Sequence, residues 1–560
     1  MGLLADIDPQ LRPSNQAAQT SMATTSRPKI KGLFQQLYVF GDSLTSYGDF
    51  AAYLQKTVLA ASAEPAWSGV SWSNANFGNQ LGLRTKLGIA TPSEVPPAGL
   101  DIPSPYYQVV NPSVATPGLG TPGAPSFAIG GATSGTTSLY DVLAITGPDG
   151  KTVALSTLFP KLAQTGVQNQ INAALKQGIR PASNELTLIQ GGSNDLLIAY
   201  IQENPAIEAV LAQVIQNMRQ NLTVQLRTAG SRQLMSFGLA DFQGVVDGVT
   251  YQMPFLSNLL KQASQPDAPA WLQPWKSFVE KGGLQEFQTK YATMLQELGR
   301  QFPYATVIYY SPEFGTNWDT YGDRLGNFES YGIKNTVGYA QATNQNLPAV
   351  ATNAYLYFDD VHNTESGQAM TAQAMALTLE SNREAIAAAT LTYQKQGTSG
   401  HDRLLAPRQN SELIGGAGND LLLGNRGNDA LWGGQGQDTL SGADGNDWLQ
   451  GGQGSDRLSG GKGADFFSYQ ADDVSSRWRD TITDFNGRQG DRLGITAVLD
   501  GTDPFANPGW DYIGSSRFSK AAAELRFADG HLQGDVDGDG KADLLIQLLG
   551  VSSFNPNWIS

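Results

Sequence analysis

Residues 415–468 read GGAGNDLLL-GNRGNDALW-GGQGQDTLS-GADGNDWLQ-GGQGSDRLS-GGKGADFFS, six copies of a nine-residue unit without a gap. Glycine occupies positions 1 and 4 of every copy, aspartate occupies position 6, and a large apolar residue occupies position 8. This period indicates a stack of similar turns rather than a flexible linker, because a linker has no reason to keep Asp and Leu in phase. The register extends backwards, with residues 397–405 fitting a seventh copy and Leu413 fitting position 8 of a degenerate eighth one.

The residue types in the repeat favour a bound calcium ion. Glycines allow backbone conformations in which carbonyl oxygens turn toward a cation, and the aspartate adds a carboxylate. Successive turns would then supply the six to eight oxygen ligands that calcium prefers. Non-glycine residues at position 2 of two copies, Asn425 and Ala443, are expected to weaken individual sites. The predicted ligands, at positions 2, 4 and 6, are Gly416, Gly418, Asp420, Asn425, Gly427, Asp429, Gly434, Gly436, Asp438, Ala443, Gly445, Asp447, Gly452, Gly454, Asp456, Gly461, Gly463 and Asp465.

The repeat resembles the glycine-rich nonapeptide of RTX (haemolysin-type) proteins. That resemblance implies an all-β parallel β-roll that binds several structural calcium ions. It also implies export by the type I secretion machinery through an uncleaved C-terminal signal. The first twenty residues lack a basic segment followed by an apolar one, so we expect a secreted, extracellular protein whose signal lies in residues 469–560. The repeats would remain unfolded in the calcium-poor cytosol and fold outside the cell.

A second acidic segment follows the repeats. Asp535, Asp537, Asp539 and Asp543 are spaced like positions 1, 3, 5 and 9 of an EF-hand loop, but Ile546 stands where the loop needs a bidentate Glu. A complete EF-hand is therefore not expected. The segment is interpreted either as a further, incomplete calcium turn or as a structural acidic hairpin.

Composition restricts the other function classes. The 560-residue chain has a net charge of −15 and no cysteine. The absence of cysteine excludes disulfides, thiolate metal sites and cysteine catalysis. An acidic surface repels nucleic acid, so no nucleic-acid partner is expected. No apolar stretch approaches the length of a membrane-spanning helix.

The chain before the repeats alternates short apolar runs with amphipathic stretches. Residues 37–40, 186–190 and 305–310 predict buried strands, and residues 204–228 and 284–302 predict helices. Such alternation favours a parallel sheet covered by helices on both faces. The Pro-rich stretches at 91–126 and 254–283 are interpreted as surface excursions, with a cap over a pocket as the alternative.

Four sequence blocks lie in an order that is typical of one enzyme family. They are FGDSL at 40–44, FAIGGA at 127–132, GGSND at 191–195 and DDVH at 359–362. From about residue 37 to 390 the sequence resembles the SGNH, or GDSL-type, lipase/esterase family. The resemblance implies a three-layer α/β/α domain with a flavodoxin-like parallel sheet. Many members have Asn where this chain has Asp49, which concerns only the support behind the nucleophile.

The resemblance implies a role for each block. Ser43 would be the nucleophile that forms an acyl-enzyme, His362 the general base and acid, and Asp359 the partner of the imidazole. The backbone N–H groups of Ser43 and Gly131 and the side-chain amide of Asn194 would bind the oxyanion. No catalytic metal is required.

Histidine scarcity supports the choice of base. Of the three histidines, His401 and His531 lie in or beyond the repeats, which leaves His362 for the first domain. Asp195 is interpreted as a helix-capping residue and Asp360 as a solvent-facing acid, and neither is assigned to catalysis.

These observations predict a secreted serine hydrolase that cleaves carboxylic esters. Lipid esters are the leading substrate class, and transient membrane-surface contact is possible. Two alternatives remain, which are a calcium-dependent extracellular scaffold with a vestigial hydrolase domain and a lipid acyltransferase. The predicted segments are a leader at 1–34, the hydrolase at 35–392, the β-roll at 397–468 and a C-terminal β region at 469–560.

Overall fold

The structure is a computed structural model. It describes residues 30–41, 83, 86–87, 133–142, 144–146, 152–154, 166–239, 243–331, 333–339, 355–357, 365–470, 473, 475–495 and 510–559.

The strands of the first part of the chain are short. In chain order they are β1 (Gln36–Phe40), β2 (Ala144–Thr146), β3 (Thr152–Ala154), β4 (Glu185–Gln190), β5 (Gln233–Phe237), β6 (Gln243–Val246), β7 (Val249–Gln252), β8 (Thr306–Tyr309), β9 (Asn335–Tyr339) and β10 (Tyr355–Tyr357). Strands β1, β4, β5 and β8 form a parallel sheet in that order. The three strands predicted from apolar runs are all in this sheet. The remaining strands form three two-stranded sheets, β2–β3, β6–β7 and β9–β10.

Helices fill the connections between the strands of the sheet. In chain order they are α1 (Leu139–Val142), α2 (Val167–Lys176), α3 (Ser193–Ile201), α4 (Ile207–Arg227), α5 (Pro254–Ala263), α6 (Leu272–Glu280), α7 (Gly283–Gln301), α8 (Phe314–Tyr321), α9 (Glu365–Ser381) and α10 (Arg383–Ala389). The two predicted helices correspond to α4 and α7, with boundaries within three residues of the prediction.

Side chains alternate between two apolar cores along the sheet, as the pleat of a strand requires. Leu37 and Val39 of β1 belong to a core shared with α8 and α9, whereas Phe40 belongs to a core shared with α2, α4 and α7. The sheet is therefore covered on both faces, which confirms the predicted three-layer α/β/α domain.

The stretch 254–283 is not a surface loop. It forms α5 and α6, and the Trp275 side chain is buried, with its Nε1 donating to the carbonyl oxygen of Asn204 at 2.7 Å. Tyr200 contacts Trp271, Trp275 and Phe255 edge-on, so this helical pair belongs to the core of the α/β domain. The other stretch, 91–126, lies outside the described residues.

Two sheets follow, in which strands from alternate turns of the repeat pair in parallel. Their strands are β11 (Tyr393–Gln396), β12 (Arg403–Leu405), β13 (Ser411–Ala417), β14 (Leu421–Arg426), β15 (Ala430–Gln435), β16 (Thr439–Asp444), β17 (Trp448–Gln453), β18 (Arg457–Lys462), β19 (Phe466–Tyr469), β20 (Asp480–Ile482), β21 (Arg492–Ile495), β22 (Asp511–Tyr512), β23 (Glu524–Ala528), β24 (His531–Asp535) and β25 (Leu544–Leu548). Odd-numbered strands from β11 to β21 form one sheet, and even-numbered strands from β12 to β20 begin the other, which β25, β24, β23 and β22 complete. In this second sheet, β23, β24 and β25 pair antiparallel with one another. Position-8 residues pair with those two repeats away, as Leu413 pairs with Leu431 and Leu422 with Leu440. They line one apolar core, which confirms the β-roll.

The β-roll packs directly against the α/β domain. Phe302 and Tyr304, between α7 and β8, contact Phe466, and Tyr304 also contacts Trp448. The buried Arg232 side chain donates to the carbonyl oxygens of Asn428 at 3.4 Å and Asp429 at 3.1 Å. One apolar core therefore runs continuously from the α/β domain into the outer face of the β-roll. Within the described residues, no helix combines the length and apolarity needed to cross a membrane.

Candidate active site and candidate metal centres

Most of the residues predicted to catalyse or to bind the oxyanion lie outside the described residues, namely Ser43, Gly131, Asp359 and His362. Asp49 and Asp360, which were not assigned to catalysis, also lie outside them. Of the residues predicted to catalyse or to bind the oxyanion, Asn194 is described. The structure also describes Gly41, two residues before Ser43, and Ser134, three residues after Gly131.

Asn194 lies in the first turn of α3, immediately beyond the carboxyl end of β4, and is 7% exposed. The chain turns sharply at Gly192, whose φ is +121°, where a Cβ would come within 2.8 Å of Val214. Glycine is thus required for the passage from β4 into α3. Because β1 and β4 are parallel and Phe40 pairs with Ile189, Gly41 and Asn194 follow strands that end at the same edge of the sheet.

The neighbouring Asp195 binds another segment of the chain. Its Oδ2 accepts the backbone N–H of Ser134 at 2.8 Å, and its Oδ1 accepts the Ser134 hydroxyl at 2.9 Å. Burial raises the pKa of Asp195, and the two bonds from Ser134 oppose that rise. The carboxylate thus holds a residue 61 positions earlier, and it also accepts its own backbone N–H in the first turn of α3. The interpretation of Asp195 as a helix-capping residue stays a prediction.

Ser134 is bonded through all of its polar atoms. The Asn221 side chain donates to its carbonyl oxygen at 2.8 Å, and the Asn217 side chain donates to its hydroxyl oxygen at 3.1 Å. Both asparagines lie on α4, whereas Asp195 lies on α3. The fully buried Ser134 is therefore fixed by two helices.

Gly41 is held in a comparable way by Gln170 of α2. The Gly41 N–H donates to Oε1 of Gln170, and Nε2 of Gln170 donates to the Gly41 carbonyl oxygen, both at 2.9 Å. Gln170 was not predicted from the sequence. It lies on the buried face of α2 with Val167, Ile171 and Ala174, and a polar residue on such an apolar face could have indicated a buried hydrogen bond.

The aspartates of the repeat form two hydrogen-bonded rows in the β-roll. In each row the Oδ1 atom accepts the backbone N–H of the aspartate eighteen residues earlier, as Asp438 does from Asp420 and Asp447 from Asp429. Asp402 of the seventh copy joins one row by donating to Asp420, which confirms the backward register. Within the described part of the chain, no donor reaches the second oxygen, Oδ2, of six buried aspartates, Asp420, Asp429, Asp438, Asp447, Asp456 and Asp465.

Burial makes most of these carboxylates costly to ionise. It raises the pKa of Asp447 and Asp456 to about 8 and that of Asp429 and Asp465 to about 7, with neighbouring carboxylates adding to the rise at Asp447, Asp456 and Asp465. A buried negative charge without a partner is unfavourable, and a hard cation removes that cost. Buried oxygens without donors therefore fit calcium.

The backbone at positions 2 and 4 also fits a ring of carbonyl ligands. A Cβ added at Gly434 or Gly436 would lie 2.0 Å or less from the carbonyl oxygen of Gly416 or Gly418, in the turn below. Asn425 and Ala443 also have positive φ angles, of 72° and 83°, against 97° to 114° for the glycines at position 2. These two departures therefore preserve the backbone shape of the turn; their effect on calcium affinity stays a prediction.

The rows of aspartates continue beyond the repeats. Asp480 accepts the Asp456 N–H at 2.9 Å, and Asp491 accepts the Asp465 N–H at 3.0 Å. Sequence reasoning missed both residues, because the spacing lengthens from 18 residues to 24 and 26.

The acidic segment after the repeats connects β24 to β25. Carboxylate oxygens of Asp535, Asp537 and Asp539 lie within 4.8 Å of one another, an arrangement compatible with a metal ion. Both oxygens of Asp535 also accept backbone N–H groups, from Gly538 and Gly540 at 2.8 Å. Asp543 accepts the N–H of Val536 at 2.9 Å. Both interpretations of this segment, calcium turn and structural hairpin, are compatible with these contacts.

No curated protein matches this chain. Among solved structures, the chain is similar to the solution structure of the AlgE6R3 subunit from the Azotobacter vinelandii mannuronan C5-epimerase, with 23% sequence identity and a TM-score of 0.19. The similarity covers 29% of this chain and 80% of that chain.

Two family descriptions match the sequence. The RTX calcium-binding nonapeptide repeat matches residues 396–431, 408–440 and 432–467, so the β-roll is a calcium-binding repeat domain. The GDSL-like lipase/acylhydrolase family matches residues 37–375, which is more than half of the chain. The chain therefore belongs to the family of GDSL-like lipases/acylhydrolases and carries RTX calcium-binding repeats after its hydrolase domain.

Proposed function

We propose that the protein is a secreted serine hydrolase that cleaves carboxylic esters, with lipid esters as the leading substrate class. The match to the GDSL-like lipase/acylhydrolase family over residues 37–375 is the observation that carries this proposal. The four sequence blocks at 40–44, 127–132, 191–195 and 359–362 lie within or at the ends of this match, in the order typical of the family.

Ser43 is the proposed nucleophile. It attacks the ester carbonyl and forms an acyl-enzyme while His362 takes the hydroxyl proton. His362 then gives that proton to the leaving alcohol and afterwards deprotonates the water that releases the acid. Asp359 holds the imidazole tautomer and stabilises the imidazolium. The role of His362 is supported by its position, since the other two histidines of the sequence lie in or beyond the repeats.

The oxyanion is proposed to bind to the backbone N–H groups of Ser43 and Gly131 and to the Asn194 amide. Two features support Asn194, its place directly after β4 and its place in the first turn of α3. Helix N-termini favour developing negative charge. A serine triad with three such donors needs no catalytic metal, and we propose none.

Calcium is proposed to act on folding. When bound, it neutralises the buried aspartates of the β-roll. Outside the cell this would fold the segments we assign to the repeats, 397–468, and to the C-terminal region, 469–560, after export through the type I secretion machinery. RTX repeats are typical of secreted proteins, which supports this route.

The test is hydrolysis of p-nitrophenyl esters from acetate to palmitate by the calcium-loaded protein. Substitution Ser43→Ala should lower turnover by more than about a thousandfold, whereas Ser46→Ala, three residues away, should leave it unchanged. A chain-length optimum beyond octanoate would support a lipid substrate and transient contact with a membrane surface.

Other outcomes would point to the alternatives. Transfer of the acyl group to an added alcohol in preference to water would identify an acyltransferase. Equal turnover by the wild type and the Ser43→Ala variant would overturn the serine mechanism. Absence of wild-type activity on every ester, phospholipids included, would favour a calcium-dependent scaffold with a silent hydrolase domain.

A further inference from the structure

We propose that the two rows of aspartates in the β-roll have different roles, and that calcium in one row stabilises the docked hydrolase domain as well as the β-roll. The hydrolase-side row consists of Asp429, Asp447 and Asp465. The solvent-side row consists of Asp420, Asp438 and Asp456. This inference rests on the proposed calcium ligands and is independent of the ester chemistry.

The residues that directly follow the aspartates show which row faces the hydrolase. Trp448 and Phe466, which follow aspartates of the hydrolase-side row, are buried in the apolar core that contains α4 and α7. Thr439 and Arg457, which follow aspartates of the solvent-side row, are exposed. The same position of the repeat therefore packs against the hydrolase beside one row and faces solvent beside the other.

The turn that ends at Asp429 is bonded to the hydrolase at two points. The Arg232 side chain, which is 3% exposed, donates to the carbonyl oxygens of Asn428 and Asp429. The Asn428 side chain donates to the carbonyl oxygen of Ala388, in the last turn of α10, at 2.9 Å, and the Asn410 side chain donates to the same oxygen at 2.7 Å. The last carbonyl groups of a helix lack partners within the helix, so these asparagines cap α10.

The corresponding turn of the solvent-side row is bonded within the β-roll. Asn419 occupies the same position of its repeat as Asn428, and its side chain accepts the backbone N–H of Gln437 at 2.9 Å. Its own backbone N–H donates to the ring of His401 at 2.7 Å. Asn428 makes the same bond along its row, since it accepts the N–H of Asn446 at 2.8 Å. The two asparagines thus differ in the bond to α10.

Calcium in the hydrolase-side row would hold the acceptors of Arg232 in place. The carbonyl oxygens of Asn428 and Asp429 keep their positions only while their turn keeps its shape, and bound calcium is what folds such turns. An arginine stays protonated in proteins, and a buried charge that loses its partners is unfavourable. Loss of calcium from this row would therefore weaken the hydrolase around Arg232 and α10. The effect is expected at this contact surface and not throughout the parallel sheet.

The experiment compares Asp447→Asn with Asp438→Asn in the full-length protein. Each aspartate accepts the N–H of the aspartate eighteen residues earlier, at 2.8 and 2.7 Å, and asparagine keeps that acceptor but replaces the second oxygen by a nitrogen that cannot bind calcium. Both variants should weaken calcium binding, measured by competition with a fluorescent chelator. At a calcium concentration that saturates the wild type, hydrogen exchange of residues 383–390 should become about tenfold faster in Asp447→Asn and change less than about twofold in Asp438→Asn.

A second pair of variants leaves the calcium ligands in place and decides the question if Asp447→Asn does not fold. Asn428→Ala removes the bond to α10 as well as the bond from Asn446, whereas Asn419→Ala removes the corresponding bond from Gln437. We expect exchange of residues 383–390 to become about threefold to tenfold faster in Asn428→Ala and to stay within about a factor of two in Asn419→Ala.

Equal acceleration in Asp447→Asn and Asp438→Asn would overturn the inference, because the two rows would then stabilise the hydrolase as one unit. Unchanged exchange of α10 in Asp447→Asn or in Asn428→Ala would also overturn it. Failure of the proposed calcium ligands would appear differently, as calcium binding that neither aspartate variant weakens, and it would remove the basis of the inference.

Discussion

The hydrolase domain and the β-roll differ in how their buried aspartates are bonded. In the hydrolase, Gln170 pairs with Gly41 and Asp195 pairs with Ser134, so protein groups meet protein groups. In the β-roll, six buried aspartates each keep one oxygen that no donor in the described residues reaches. The contacts of Gln170 and Asp195 form as the hydrolase chain folds, whereas the free oxygens of the β-roll aspartates need a bound cation.

The difference also concerns how stability is distributed. The β-roll stacks similar turns, so each turn depends on its two neighbours and on the calcium between them. The hydrolase core depends on contacts between remote segments. The two regions nevertheless share one interface, which Arg232, Tyr304 and Trp448 form. How far one region can lose its structure without the other therefore becomes an experimental question.

Calcium removal should have the largest effect. With an excess of EGTA, we expect residues 411–469 to lose amide protection almost completely, because buried carboxylates without a cation oppose folding. Strands β4 and β5 should keep most of their protection, since their contacts contain no calcium site. Hydrogen exchange with mass spectrometry measures both regions in one experiment.

Magnesium at the same concentration provides the control for calcium removal. It retains its water shell and demands a stricter geometry, so it should not restore protection in the β-roll. Simultaneous loss of protection in β4 and in the repeats on chelation would contradict the view that the hydrolase is complete without a cation.

The sequence predicts the β-roll in much more detail than the active site. A nine-residue period repeats every contact, so the period alone assigns Leu413, Leu422 and their successors to one core. The prediction stops where the period does, and Asp480 and Asp491 were missed because insertions precede them. Periodicity carries information only while the spacing is kept.

The active-site contacts were hidden for a different reason. Gln170 and Gly41 are 129 residues apart, and Asp195 and Ser134 are 61 apart. Such pairs depend on which strands are neighbours and which helices return over the sheet, and no local pattern encodes that. The α/β class and the order of the blocks were predictable, since each depends on local residues.

An intermediate effect is expected at the interface between the two regions. Arg232→Met removes the guanidinium that lies over the Tyr304 ring and donates to the carbonyl oxygens of Asn428 and Asp429. The Asp429 oxygen keeps the Trp448 N–H as a donor, whereas the Asn428 oxygen loses its bond from Arg232. A buried polar group that loses its partner costs about 1–3 kcal/mol. We expect the free energy of unfolding of the calcium-loaded protein to fall by about that amount, as measured by urea titration with tryptophan fluorescence, to which Trp432 and Trp448 contribute.

Arg324→Met is the matched control for the interface. Arg324 pairs with Glu380 on a partly exposed surface of the hydrolase, so its loss should cost less than about 1 kcal/mol. If both variants lost the same stability, Arg232 would have no special role in joining the β-roll to the hydrolase.

The smallest effect concerns the two repeats that lack glycine at position 2. Ala443 has a left-handed φ of 83°, which costs an L-residue about 1–2 kcal/mol, whereas glycine adopts it freely. The greater freedom of glycine in the unfolded chain offsets part of that gain, by about 0.4–1 kcal/mol. Ala443→Gly should therefore stabilise the calcium-loaded β-roll by about 0.5–1 kcal/mol, seen as a higher urea midpoint.

Asn425→Gly is the informative partner, because asparagine tolerates this conformation better and the Asn425 side chain donates to the carbonyl oxygen of Ala406 at 2.6 Å. That variant should gain nothing or lose stability. A lower midpoint for Ala443→Gly would show that the alanine is not strained, and that the β-roll tolerates departures from its period more easily than its backbone angles imply.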